Sequence, residues 1–74
     1  MKINELNELI GEHIVIAREK KSISQMQLAS MIHITRPTLS KWERGINQPD
    51  LYSLIMISDI LDISLDALCK NDKK

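Results

Sequence analysis

The sequence predicts an all-α domain built from five short helices. Three observations carry that expectation. Glycine and proline occur twice each in 74 residues, too rarely for a turn-rich β architecture. The aromatic residues are Trp42 and Tyr52, with no Phe, whereas a β-sandwich core draws on many aromatic and β-branched side chains. Apolar residues recur at spacings of three and four, the period of one helical face. With 43% apolar and 27% charged residues the composition is that of a globular chain, and the length is that of one domain.

The first helix is expected from about Asn4 to Lys21, with Ile3, Leu6, Ile10, Ile14 and Ala17 along one face. Val15 and Ile16 lie off that stripe. The second begins after Ser24, because Ser24-Gln25-Met26-Gln27 has the form of a capping box. It continues through Leu28, Ala29 and Ile32, and His33-Ile34-Thr35 makes a short turn. Thr35 caps a third helix, Arg36–Arg44, which carries Pro37 in its first turn, where a missing N–H costs nothing. Gly45 ends it, and Ile46–Pro49 is a loop. Asp50 caps a fourth helix, Leu51–Leu61, with Leu54, Ile57 and Leu61 inward. Ser64 caps a short fifth, Leu65–Lys70, anchored by Leu68. Residues 1–9 extend the first helix, 10–69 form the domain proper, and 70–74 are a frayed tail.

Formal net charge is zero, but its distribution is uneven. Residues 1–17 carry Lys2 against Glu5, Glu8 and Glu12, a net −2. Residues 18–48 carry Arg18, Lys20, Lys21, Arg36, Lys41 and Arg44 against Glu19 and Glu43, a net +4. Residues 49–74 carry Lys70, Lys73 and Lys74 against five aspartates, a net −2. A basic zone between acidic flanks points to an anionic partner better than the total does. No stretch approaches the ~20 apolar residues of a membrane span. The polar, acidic Met1–Glu8 lacks the features of a signal peptide, so a cytoplasmic location is expected.

The second and third helices, joined by a tight turn, have the helix-turn-helix arrangement. Its second helix is narrow enough to enter the DNA major groove, and its first braces it from behind. Close approach of the two requires a small residue, which Ala29 supplies; Leu28, Ile32, Ile34 and Leu39 provide packing. Arg36, Thr38, Lys41 and Arg44 can then point outward.

Several segments resemble a known family. Arg18, Ser24-Gln25-x-x-Leu28-Ala29, Ile34-Thr35, Leu39-Ser40-Lys41-Trp42-Glu43-Arg44-Gly45, Pro49 and Leu54-x-x-Ile57-x-x-x-Leu61 are similar to the phage repressor/Cro-type (XRE-like) helix-turn-helix domain. The resemblance covers residues 10–69, with the motif at about 25–44. It implies a compact five-helix, lambda-repressor-like domain that binds operator DNA as a dimer. It further implies that Gln25 meets a phosphate or a base edge, and that Arg36, Pro37, Thr38 and Lys41 face the major groove. Ser40, Trp42 and Arg44 are expected near the phosphate backbone, and Arg18 with Glu43 as a buried ion pair joining the first and third helices. The chemistry of these side chains agrees: Arg and Lys donate to guanine O6 and N7, and Thr bonds bases or touches a thymine methyl. Pro37 departs from the polar residue common at its position and offers only a thymine-methyl or steric contact. The chain also departs at Ser22, His33 and Asp62, where the family has glycine in left-handed conformation. Each such replacement costs about 1 kcal/mol relative to glycine.

Other readings of individual residues are blander. His13, His33 and Cys69 match no zinc spacing, and no metal or cofactor is expected. Met26, Met31 and Met56 read as packing residues, Trp42 as half core and half phosphate-facing, and Asp59, Asp62 and Asp66 as a solvated face. No phosphate loop, nucleophile–base pair or paired carboxylate site is present, so an enzyme is not expected. The function predicted is a sequence-specific double-stranded DNA-binding transcriptional regulator, most simply a repressor binding a palindromic operator. Leu51, Ile55 and Met56 of the fourth helix, and Leu65 of the fifth, are apolar beyond what one inner face needs and are assigned to a homodimer surface. The alternative is a protein–protein adaptor, such as an antitoxin or anti-repressor component, with DNA binding secondary or lost.

Overall fold

A computed structural model describes residues 2–70. The described chain contains five helices and no strand: α1 (Ile3–Lys20), α2 (Gln25–Met31), α3 (Arg36–Glu43), α4 (Leu51–Leu61) and α5 (Leu65–Cys69). Residues 71–74, most of the expected frayed tail, lie outside the described residues.

Four helix starts follow directly from side-chain chemistry. Ser24, Thr35, Asp50 and Ser64 are N-caps whose oxygens accept from the backbone N–H three residues on. At Ser24 the capping box is complete: the Gln27 N–H donates to Ser24 Oγ at 3.0 Å, and the Ser24 N–H donates to Gln27 Oε1 at 2.7 Å.

Four helix ends share one hydrogen-bond pattern. A residue with positive φ, Ser22 (57°), His33 (62°), Gly45 (75°) or Asp62 (56°), closes each of α1 to α4. An isoleucine follows each one. Its N–H bonds the carbonyl five residues back: Ile23 to Arg18, Ile34 to Ala29, Ile46 to Lys41 and Ile63 to Ser58, at 2.9–3.1 Å. This is the Schellman arrangement, which normally carries an apolar contact at that isoleucine. Ile23, Ile34 and Ile63 pack against the core, whereas Ile46 remains exposed.

The core comprises Ile10, Ile14, Ala17, Leu28, Ala29, Ile32, Leu39, Trp42, Leu54, Ile57, Leu61 and Leu68. All five helices contribute, and α1 is the common support, packing on α3, α5 and α4. The N-terminal part of the expected α1 stripe is not used in full. Leu6 is half-buried and Ile3 is 64% exposed. At 1.5 Å per residue an 18-residue helix is about 27 Å long, so α1 overhangs partners of only 5–11 residues.

The α1–α3 crossing is tight because α1 presents Gly11 there. A Cβ on Gly11 would collide with the backbone oxygens of Trp42 and Glu43. Gly45, just past α3, likewise lies against α1, where an added Cβ would sit 2.8 Å from Glu8 Cγ. His13 Nδ1 pairs with the Leu68 carbonyl at 2.9 Å and ties α1 to the end of α5.

Candidate nucleic-acid interface

α3 is short and two-sided. At about 100° per residue, Leu39 and Trp42 fall together and are buried. Arg36, Ser40, Arg44, Pro37 and Lys41 fall on the opposite arc. Arg36, Pro37, Lys41 and Arg44 are exposed, and Ser40 and Thr38 are half-buried. The outward arc thus carries three cations and no carboxylate. The local fold supports this placement: Pro37 sits in the first turn, where no N–H is required. Thr35 Oγ1 accepts the Thr38 N–H at 3.3 Å and also pairs with Thr38 Oγ1 at 2.9 Å, so the Thr38 hydroxyl is engaged with the cap. Arg44 Nε donates to the Ser40 carbonyl at 3.3 Å, which keeps this arginine at the end of the helix.

α2 lies behind α3 and holds it through Leu28 and Ala29, both buried against Ile32 and Leu39 in the same core. The small Ala29 side chain admits the close approach expected of the motif. The turn between the helices is Ile32–Thr35, with His33 exposed at positive φ.

Arg18 of α1 and Glu43 of α3 meet with Arg18 Nε to Glu43 Oε2 at 2.8 Å, their side chains 13% and 5% exposed. Arg18 Nη2 reaches Glu43 Oε1 at 3.3 Å, and Arg18 Nη1 donates to the Ile23 carbonyl at 2.9 Å. One arginine therefore fastens α1, α3 and the α1–α2 turn. Satisfied on this many sides, the pair meets the condition under which a buried charge is tolerated.

Trp42 and Met56 lie further inside than the sequence reading expects. Trp42, expected partly at the phosphate backbone, is 6% exposed and belongs to the core; its position follows Leu39 around the helix rather than Lys41. Gln25, expected to meet a phosphate or a base edge, is half-buried and donates from Nε2 to Glu43 Oε1 at 2.8 Å. Among the apolar residues assigned to an intersubunit surface, Leu51, Ile55 and Leu65 are exposed, but Met56 packs against the core. Tyr52, beside Leu51, is 70% exposed.

Two features of the region escaped the sequence reading. Gly11 sets the α1–α3 distance, and its signal was a lone glycine inside a helical pattern. The Gln25–Glu43 bond had no signal in spacing, because it joins residues 18 apart on different helices. Among the described residues, no group of three His, Cys, Asp or Glu side chains is placed to hold a metal. No described helix is long and apolar enough to cross a membrane.

A helix-turn-helix family model matches residues 14–68. The chain is 39% identical over 64 residues to the HTH-type transcriptional regulator YqaE of Bacillus subtilis, covering 86% of this chain and 55% of that protein. It is 35% identical over 65 residues to repressor protein C2 of Salmonella phage P22, covering 88% of this chain and 30% of that protein. The chain spans about half the length of the first curated relatives it matches. The crystal structure of the P22 c2 repressor with synthetic operator 9T is similar with a TM-score of 0.80 at 36% identity, over 86% of this chain and 97% of that one. A match across residues 14–68, on a fold shared with that repressor, makes this chain a member of the phage repressor/Cro-type, XRE-like helix-turn-helix family.

Proposed function

We propose that the protein is a sequence-specific double-stranded DNA-binding transcriptional regulator, a repressor that reads its operator with α3 in the major groove. The observation that carries this reading is the two-sided α3: Leu39 and Trp42 are buried, while Arg36, Lys41 and Arg44 share the exposed arc. Arg36 and Lys41 can donate to guanine O6 and N7. Pro37 can pack on a thymine methyl, and Thr38 borders the groove edge. Ser40 and Arg44 are assigned to the phosphate backbone, and Trp42 to support of the helix from within. Similarity to a repressor solved with its operator supports the assignment. The reading includes no catalytic step and places the protein in the cytoplasm with its DNA.

The protein acts as a homodimer in this proposal. Leu51, Tyr52 and Ile55 at one side of α4, Leu65 of α5 and Ile46 of the preceding loop are all exposed. Ile46 is the single isoleucine of the four helix-ending motifs that does not pack inward. A second copy covering this face would place two α3 helices in successive major grooves, about 34 Å apart. The deciding experiment is selection of bound duplexes from a random pool at physiological salt. A twofold-symmetric motif with half-sites one helical turn apart is expected. No enrichment from folded protein overturns the reading in favour of an adaptor role.

A further inference from the structure

The outer side of α1 carries apolar surface and charge that the core does not use. At about 100° per residue, Glu5, Glu8, Leu9, Glu12, Val15 and Ile16 share an arc of about 120° opposite Ile10 and Ile14. They border a groove of about 580 Å³ that reaches Arg44 at the end of α3. Its apolar floor is Leu9 and Val15, both half-buried, and Ile16, which is 46% exposed. Its wall is Glu5, Glu8 and Glu12, all exposed. Residues 3–17 contain these three glutamates and no lysine or arginine. Among the described residues, none of the three forms an ion pair. Glu5 has a local role, because its Oε1 accepts the Lys2 N–H at 2.9 Å. Glu8 and Glu12 cap nothing, and like charges four residues apart on a helix destabilise it. Arg44 borders the groove, but its Nε donates to the Ser40 carbonyl at 3.3 Å. Glu5, Glu8, Leu9 and Glu12 also precede residues 14–68, which the family model matches. Neither the core nor the reading helix accounts for this face.

We infer that this face of α1 is a docking surface for a basic amphipathic helix of a partner protein. The helix sets apolar side chains against Leu9, Val15 and Ile16, and lysine or arginine against Glu8 and Glu12. Charge complementarity fixes the class of occupant. The carboxylates repel the phosphates of nucleic acids and of anionic membranes, and they equally repel the same face of a second copy. The apolar floor rewards burial, which a metal ion or polyamine does not supply. A helix in a groove combines apolar anchors at helical spacing with charged flanks, and the flanking pairs fix its orientation and reject wrong partners. The groove shares no residue with the exposed α4 face assigned above to the homodimer, so one can be filled while the other is paired.

The test is a titration of the full chain, followed by backbone amide NMR shifts, with a synthetic leucine/lysine peptide of about four helical turns. Its leucines repeat at helical spacing. Two control peptides of the same length replace every lysine by glutamate, or every leucine by serine. The leucine/lysine peptide should bind at least about tenfold more tightly than either control, with shifts concentrated at residues 5–16 and Arg44. Glu8→Lys with Glu12→Lys should weaken it by about tenfold or more, and Ile16→Ala by about threefold to tenfold. These side chains are exposed, so thermal melting should find both variants folded. Ile16→Ala and Glu12→Gln carry the test if the double variant does not fold. No binding by the leucine/lysine peptide overturns the inference. Equal binding of the serine control overturns it too and reduces the face to diffuse charge attraction. Shifts centred on Leu51 and Ile55, or variants that bind as the wild type does, overturn it by placing the peptide elsewhere. The titration contains no DNA, so its outcome is read independently of the proposed operator binding.

Discussion

At the scale of single residues, Glu43 has the widest consequences. Its side chain joins α1 through Arg18 and α2 through Gln25 while standing on α3. Removing one member of a buried, satisfied ion pair leaves the other charge stranded, at a cost of about 3–5 kcal/mol. Arg18→Ala and Glu43→Ala should each lower stability by that order in urea unfolding, and any loss of DNA binding would then report the loss of fold. Arg36 and Lys41 are different, because their side chains are exposed and support nothing in the core. Arg36→Ala or Lys41→Ala should leave the melting temperature unchanged and weaken specific binding by ~1–3 kcal/mol, with relaxed preference at one base position. Arg44→Ala should weaken all duplexes alike and reduce the salt slope by about one. Cys69 supplies a chemical check on the packing of α5. Burial, and then the nearby Asp66 charge, raise its thiol above the ordinary cysteine range. It should therefore be alkylated more slowly at pH 8 in the folded protein than in urea.

At the scale of elements, one connector is used three times. Ser22-Ile23-Ser24, His33-Ile34-Thr35 and Asp62-Ile63-Ser64 each combine a left-handed residue, a packed isoleucine and an N-cap. The left-handed residue closes one helix, the isoleucine anchors the turn, and the hydroxyl opens the next helix. None of the three left-handed positions is glycine. His33→Gly and Asp62→Gly should therefore raise stability, each by up to about 1 kcal/mol, in thermal or urea unfolding. Glycine to alanine at Gly11 is the opposite case. Alanine gains up to about 1 kcal/mol of intrinsic helix propensity, but its Cβ would meet the α3 backbone at distances down to 2.6 Å from the Glu43 oxygen and closer from Trp42. Backbone cannot rotate away as a side-chain tip can. Overpacking of about 1–3 kcal/mol outweighs the propensity gain, and Gly11→Ala should destabilise the protein and shift α3.

At the scale of the whole molecule, α1 is the frame on which α3 is mounted, and the apolar face at Ile46, Leu51, Tyr52 and Ile55 is left uncovered. Burying ~25 cal/mol per Å² of apolar surface gives such a face a strong reason to pair. Leu51→Glu with Ile55→Glu should leave the monomer fold intact, because both side chains are exposed. If the proposed dimer forms through this face, sedimentation should show its loss, and binding to a palindromic site should fall toward that for a half-site. A wild-type monomer at tens of micromolar would count against the face as an interface.

The sequence by itself determined the number, order and ends of the helices. These depend on local chemistry: Ser24, Thr35, Asp50 and Ser64 cap from within three residues, and Gly45 closes α3 through its own φ. The inward stripe was legible wherever a partner helix lies opposite, as at Ile10 and Ile14, and misleading at Ile3, where α1 runs past its partners. The outward cations of α3 followed from placing Leu39 inward, a matter of period alone. Only the tertiary structure decided how the helices touch. The hydrogen bond between Gln25 and Glu43, the burial of Trp42 and the contact of Gly11 with α3 all depend on where one helix crosses another. Such crossings are set by the packing of many side chains at once, which no short window of sequence contains.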